Sequence, residues 1–163
     1  MAETGRILMV YYSFEGNVEY ISRIVSKELP ADLFRLEPDR EPPKKGIGKI
    51  LLGGMDVVLG RLPRIVPCKY NLSDYSQIII ATPVWAGSYA PALGTFLKEN
   101  HLQGKRIYLI VSSSSGNADK MLLKLEDSLT GNNVVGTLSV KDPLRNEEEE
   151  RPRIEAFLRG IQI

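Results

Sequence analysis

Three short stretches of the chain, ILMVYY at Ile7 to Tyr12, QIIIAT at Gln77 to Thr82 and KRIYLIV at Lys105 to Val111, carry apolar residues in succession rather than in alternation. A strand with one wet face alternates apolar and polar residues, whereas a strand buried on both faces reads as a continuous apolar run. Each stretch is therefore expected inside a sheet covered on both sides. Between and after them the apolar residues switch to helical spacing: Val18, Ile21, Ile24, Val25 and Leu29, stopped by Pro30; Leu93, Phe96 and Leu97 behind Pro91; Ala118, Met121, Leu122, Leu125 and Leu129 before a C-capping Gly131; and Ile154, Phe157, Leu158 and Ile161 in a last helix from about Asn146. Ala31 to Leu36 and Val134 to Val140 supply two more strands. Strands alternating with helices, with no room for hairpins between most of them, imply parallel pairing through right-handed crossovers: a doubly wound α/β fold. At 163 residues the chain suits one domain spanning 1–163.

Composition removes several classes of function. Lysine and arginine exceed aspartate and glutamate by one, so no bulk field favours nucleic acid or an anionic membrane, and no apolar stretch is long enough to span a bilayer. The single Cys68 excludes an intramolecular disulfide, and with the single His101 it cannot build a Cys/His zinc site. Met1 to Arg6 leads straight into the first strand without the pattern of a secretory leader, so a reducing, cytoplasmic location is expected. The serine-rich turn Ser112 to Asn117 lacks a G-x-S-x-G elbow, and nothing places His101, read as a surface residue, beside it. A phosphoacceptor receiver of the same fold class needs aspartates where Tyr12, Ser13 and Phe14 stand. The run Glu147 to Glu150 reads as the solvated first turn of the last helix and binds no metal. Cys68, between Pro67 and Lys69, reads as an inert loop thiol, with redox sensitivity as the alternative. Gly46 to Gly60, apolar and holding five glycines, reads as a loosely packed helix over the sheet, its rival being a docking surface or homodimer contact.

In a doubly wound sheet, ligands sit beyond the carboxyl ends of the strands where strand order reverses. Three loops deserve inspection there. Ser13-Phe14-Glu15-Gly16-Asn17-Val18 joins a buried strand directly to a helix, so its amides and the helix dipole would meet an anion, a terminal phosphate first. It matches neither GxxxxGK[ST] nor GxGxxG, which disfavours ATP and NAD. Thr82-Pro83-Val84-Trp85-Ala86-Gly87, continuing to Ser88-Tyr89-Ala90-Pro91, sets the only tryptophan at the sheet mouth beside a glycine, which suits a planar aromatic ring; capping the core is the alternative role of Trp85. Ser112-Ser113-Ser114-Ser115-Gly116-Asn117 offers small donors and acceptors for the edge of a heterocycle, or simply caps the next helix.

Together, in order and spacing, the three loops resemble those of the flavodoxin family over essentially the whole chain. YYSFEGNVEYIS resembles the phosphate loop (S/T)-x-(T/E)-G-N-T, IIIATPVWAGSYAPAL the second flavin loop G-(T/S)-P-V-W-(A/W)-G, and KRIYLIVSSSSGNADK the third. No long insertion interrupts Val134 to Val140, as in the short-chain members. The resemblance implies a five-stranded parallel sheet in the order 2-1-3-4-5 and non-covalent FMN. Ser13, Phe14, Glu15, Gly16, Asn17 and Val18 would hold its phosphate, Thr82, Pro83, Val84, Trp85, Ala86 and Gly87 would flank the ring, and Ser113, Ser114, Ser115, Gly116 and Asn117 would face its pyrimidine edge. It further implies electron transfer between redox partner proteins. The alternative is an FMN-dependent oxidoreductase that reduces quinones or another small-molecule electron acceptor with NAD(P)H. Three departures stand out: Val18 occupies a position where a hydroxyl is usual, the third loop lacks an aromatic for the second flavin face, a role that would fall to Tyr89 or leave the face open, and the near-neutral charge differs from that of acidic carrier flavodoxins.

Overall fold

The computed structural model describes residues 5–43 and 54–163. The first apolar run forms β1 (Ile7–Tyr11), buried at every position, followed by α1 (Asn17–Glu28) and β2 (Ala31–Arg35). Next come a short 3-10 turn (Leu72–Asp74), β3 (Gln77–Trp85), β4 (Ser88–Tyr89) and α2 (Pro91–Glu99), then β5 (Arg106–Ser113), α3 (Asp119–Asp127), β6 (Asn133–Lys141) and α4 (Glu147–Arg159). Five of these strands pair in parallel in the order β2-β1-β3-β5-β6, the doubly wound order expected, and β4 is an added antiparallel arm on β3.

Side chains of a strand point to alternate faces, and here each face has its own core. Leu8, Val10, Ile78, Ile80, Ile107 and Leu109 point to the side covered by α2 and α3, whose Leu93, Phe96, Met121 and Leu125 are buried among them. Ile7, Met9, Ile79 and Ile110 face the side covered by α1 and α4, against Ile21, Val25, Ile154 and Leu158. Two-sided burial is the physical reason the runs show no alternation. Edge strand β6 does alternate between exposed and half-buried positions over most of its length, as a strand paired on one side only should.

The chain departs from the expected layout at two places. Strand β3 does not stop at Thr82 but runs on to Trp85, reversing through Ala86 and Gly87, both with positive φ (46° and 73°). Positive φ at both central residues makes the two-residue turn whose twist matches a hairpin. Ala86→Gly is expected to raise stability by roughly 0.5–1 kcal/mol, because glycine adopts this region without the Cβ clash; thermal denaturation measures it, and a loss of stability would contradict the strain. Glu150 is not solvated: it is 2% exposed and accepts from Arg153 Nη1 at 2.5 Å. Of the segment Gly46 to Gly60, residues 46–53 lie outside the described residues, while 54–58 are helical.

Candidate functional site

Strand order reverses between β1 and β3, and there, beyond their carboxyl ends, opens a cavity of about 500 Å³, within the roughly 300–1,000 Å³ that small-molecule sites occupy. All three loops reach it. Ser13, Phe14, Glu15, Asn17 and Val18 line it from the first, Pro83, Val84, Trp85 and Ala86 from the second, and Ser113 and Ser114 from the third. Gly16, Thr82, Gly87, Ser115, Gly116 and Asn117 are not on its wall. Among the described residues Ser112, the first of the third loop, is also on the wall, with Pro42, Gly54 and Asp142, which were not singled out from the sequence as site residues.

The first loop turns directly from β1 into the N-terminus of α1. Gly16 caps α1 in the left-handed region (φ 96°) and has no side chain of its own to cap the helix. The buried Ser13 hydroxyl accepts from Glu19 N–H at 2.9 Å, one turn in, and Asn17 Oδ1 accepts from Leu144 N–H at 3.1 Å. Both side chains thus fasten the loop through their oxygens, which leaves the Ser13 O–H and the Asn17 side-chain N–H groups as donors. Arg35 grips it from behind, donating to Ser13 O at 3.2 Å and to Glu19 Oε2 at 3.1 Å. No lysine or arginine stands among the lining residues described, so backbone N–H groups and the dipole of a 12-residue helix supply the positive potential. Val18 is buried in the core between α1 and the sheet, so the helix is seated by the very side chain that replaces a hydroxyl.

The hairpin presents Trp85, half-buried and held edge-on by Tyr12 (centroids 5.5 Å, 88°) and Phe14 (5.3 Å, 87°). Two perpendicular neighbours fix the indole plane. Tyr12 donates to Glu41 Oε1 at 3.0 Å; burial, with Glu41 beside it, pushes the phenol well above its ordinary pKa and keeps it neutral. Thr82, although off the cavity wall, pins the hairpin base: its Oγ1 accepts from Ala90 N–H at 3.1 Å and donates to Pro83 O at 3.0 Å. Tyr89 does not reach the cavity: it lines a separate pocket beside Lys124 and hydrogen-bonds Ser128 at 3.2 Å. It therefore does not stand in for the aromatic missing from the third loop.

The third loop is internally braced rather than loose. Gly116 N–H donates to Ser113 Oγ at 3.0 Å, Asn117 Oδ1 accepts from Asp119 N–H at 3.1 Å, and Ser139 Oγ holds Gly116 O at 2.9 Å. Asp142 joins this loop to the first: its N–H donates to Ser113 O at 3.1 Å, while Leu144 two residues on reaches Asn17. It is a non-glycine residue at φ 34°, held there because its carbonyl accepts from the N–H groups of Arg145 and Asn146. Strain that the surroundings over-determine is characteristic of functional positions.

The crevice lies at the switch point of a doubly wound parallel sheet, the place where open α/β sheets hold their ligands. The fold is flavodoxin-like. A flavoprotein from Lactobacillus acidophilus NCFM, solved in complex with FMN, superimposes with a TM-score of 0.71 at 19% identity over 90% of this chain and 99% of that one. The Trp repressor binding protein from Bacillus subtilis gives 0.65 at 13% identity over 97% and 100%. A flavodoxin, WrbA-like protein from Agrobacterium tumefaciens gives 0.55 at 17% identity over 98% and 100%. No family model and no curated protein matches the sequence.

Proposed function

We propose that the protein binds FMN in this cavity and transfers electrons through it. The observation that carries the reading is the union, in one cavity, of a helix N-terminus and a tryptophan whose plane is fixed by two aromatic neighbours. The first suits a phosphate and the second a flat conjugated ring. A protein of the same fold solved with FMN supports the same choice. Bound FMN would supply reversible one- or two-electron chemistry. The chain's part is to bind and orient: Asn17 and Val18 would offer backbone N–H groups to the phosphate at the turn that Gly16 makes, Trp85 would stack on the ring, and Ser113 and Ser114 would meet its polar edge. The carbonyl of Ala86, which is on the cavity wall, would accept from the ring nitrogen that carries a proton in the reduced state.

Asp142 adds a carboxylate to the wall of a cavity that takes a dianionic phosphate. Asp142→Asn is expected to tighten FMN about fivefold by relieving this repulsion. Riboflavin, which lacks the phosphate, should bind the variant as it binds the wild type. Parallel titrations check it, and equal gains for both ligands would remove the electrostatic explanation.

Between carrier and enzyme we favour the carrier, since no second Gly-rich strand-to-helix turn remains for a nicotinamide dinucleotide. Tyr89, turned to a separate pocket, does not cover a ring bound in the main cavity, and this favours the reductase of quinones as the second reading. Steady-state assays with NADH, NADPH and a quinone separate them. Slow reduction by nucleotides with fast reduction by a redox protein is the carrier's result, and saturable quinone turnover of many cycles per second overturns it.

A further inference from the structure

The β3–β4 hairpin also borders a second, smaller pocket of about 200 Å³, a volume that suits a small molecule rather than a nucleotide. Four stretches distant along the chain build it. Residues 54–58 are helical, and the winding ends where Gly60 turns to φ 63°: the N–H groups of Gly60 and Arg61 return to Val57 O at 3.2 Å and to Asp56 O at 2.9 Å. This left-handed helix end brings Asp56, Arg61 and Leu62 to one wall. The first turn of α2 supplies Pro91 and Gly94. A Cβ on Gly94 would come within 2.9 Å of Leu62 Cδ2, so glycine, although it weakens a helix interior, is what lets Leu62 seat against α2. The hairpin gives Ser88 and Tyr89, and α3 gives Lys124.

The pocket has a sign. Arg61 and Lys124 are exposed, and among the described residues neither forms an ion pair, although Asp56 stands on the same wall. Lys124 Nζ lies 6.0 Å from the centroid of the Tyr89 ring instead. The first turn of α2 adds the positive end of a nine-residue helix. Ser88 points to a ligand independently of charge. It is 6% exposed, it lines the pocket, and its hydroxyl has no hydrogen-bond partner among the described residues. Nor is that oxygen sealed in protein, since among the described residues only Tyr20 Oη is both enclosed and unpartnered. It therefore opens onto the pocket, and a buried hydroxyl is expected to find a partner there.

We propose that this pocket binds a small oxyanion, the phosphate or carboxylate group of a small molecule, at a site separate from the main cavity. Arg61 and Lys124 supply the charge, the Ser88 hydroxyl donates to an oxygen, and Val57, Leu62 and Pro91 offer apolar surface to the rest of the molecule. Asp56 opposes the ligand and holds its affinity down. The two sites share the hairpin: Ala86 is on the wall of one and Ser88 on the wall of the other, with Ser88 paired to Trp85. The proposal goes beyond the redox reading and does not depend on it.

The test is an amide-resolved NMR titration of the FMN-saturated protein with inorganic phosphate and, separately, with benzoate, each against potassium chloride at equal ionic strength. Saturable shifts are expected at the amides of Gly60, Ser88, Tyr89 and Gly94. Tighter phosphate assigns the site to a phosphate group and tighter benzoate to a carboxylate, and either supports the proposal. Arg61→Gln with Lys124→Gln should weaken binding at least about tenfold, and Ser88→Ala about fourfold. Asp56→Asn should tighten it about threefold, a gain that a purely structural role for these residues would not produce. Lys120→Gln, exposed on α3 and off the pocket wall, should bind like the wild type. Circular dichroism verifies that the variants keep the fold. Shifts no larger than those in potassium chloride, unchanged affinity in the double variant, or an equal loss in Lys120→Gln overturns the proposal. Should the protein take no FMN, the same titration of the apoprotein reads this pocket at Ser88 and Gly94 and the first loop at Asn17 and Val18, so the two readings fail separately.

Discussion

Gly16→Val is expected to weaken FMN binding at least about a hundredfold. At φ 96° a β-branched residue is strained, and its Cβ would lie 3.2 Å from Leu144 Cδ1, in the turn that also holds Asn17. Strain of roughly 1–3 kcal/mol, added to rotation of the first-turn N–H groups away from the phosphate, accounts for the size of the loss. Ser13→Ala should cost only about fivefold, since Ser13 Oγ fastens Glu19 N–H and its loss frays one bond of the loop. Gly104→Val is the control. It stands at φ 66° with open space around it, in a separate pocket beside Lys105. It should lower thermal stability and leave FMN affinity as it is. Fluorescence titration of the three variants reads the difference, and equal affinity for Gly16→Val and wild type would remove the phosphate cradle from the account.

Trp85→Ala is expected to weaken FMN about tenfold or more and to shift its reduction potential. The indole is presented by the hairpin and held by Tyr12 and Phe14, so its removal takes away a ring face that is already oriented and leaves the edges of two aromatics facing a void. Because it is the only tryptophan, its emission reports occupancy directly: FMN should quench it strongly. A variant that binds and is reduced like the wild type, with emission in the wild type indifferent to FMN, would leave Trp85 as a cover for the core end.

The sheet was legible in the sequence because two-sided burial writes itself as unbroken apolar runs, and the strand order followed once the loops were compared with a known family. The hairpin was not legible as a strand continuation. Alanine is no turn marker, and the positive φ of Ala86 is imposed by the pairing of Val84 with Tyr89 and of Trp85 with Ser88. Gly87, read as a point of close approach to a ligand, serves that turn and lies off the cavity wall. Asp142 escaped notice for a different reason: its place beside Ser113 depends on β6 lying next to β5, a contact between residues distant along the chain. Glu150 sits in a run of four glutamates, and only the packing of α4 on the sheet decides which of them is buried.

The measurement closest to the central claim is calorimetric titration of the apoprotein with FMN, riboflavin and FAD under oxidising and reducing conditions. The account predicts saturable binding of one FMN per chain, markedly weaker riboflavin because the helix N-terminus has no phosphate to hold, and weaker FAD because its adenylate must leave the first loop. Absence of saturable FMN binding under both conditions, or riboflavin binding as tightly as FMN, would contradict it.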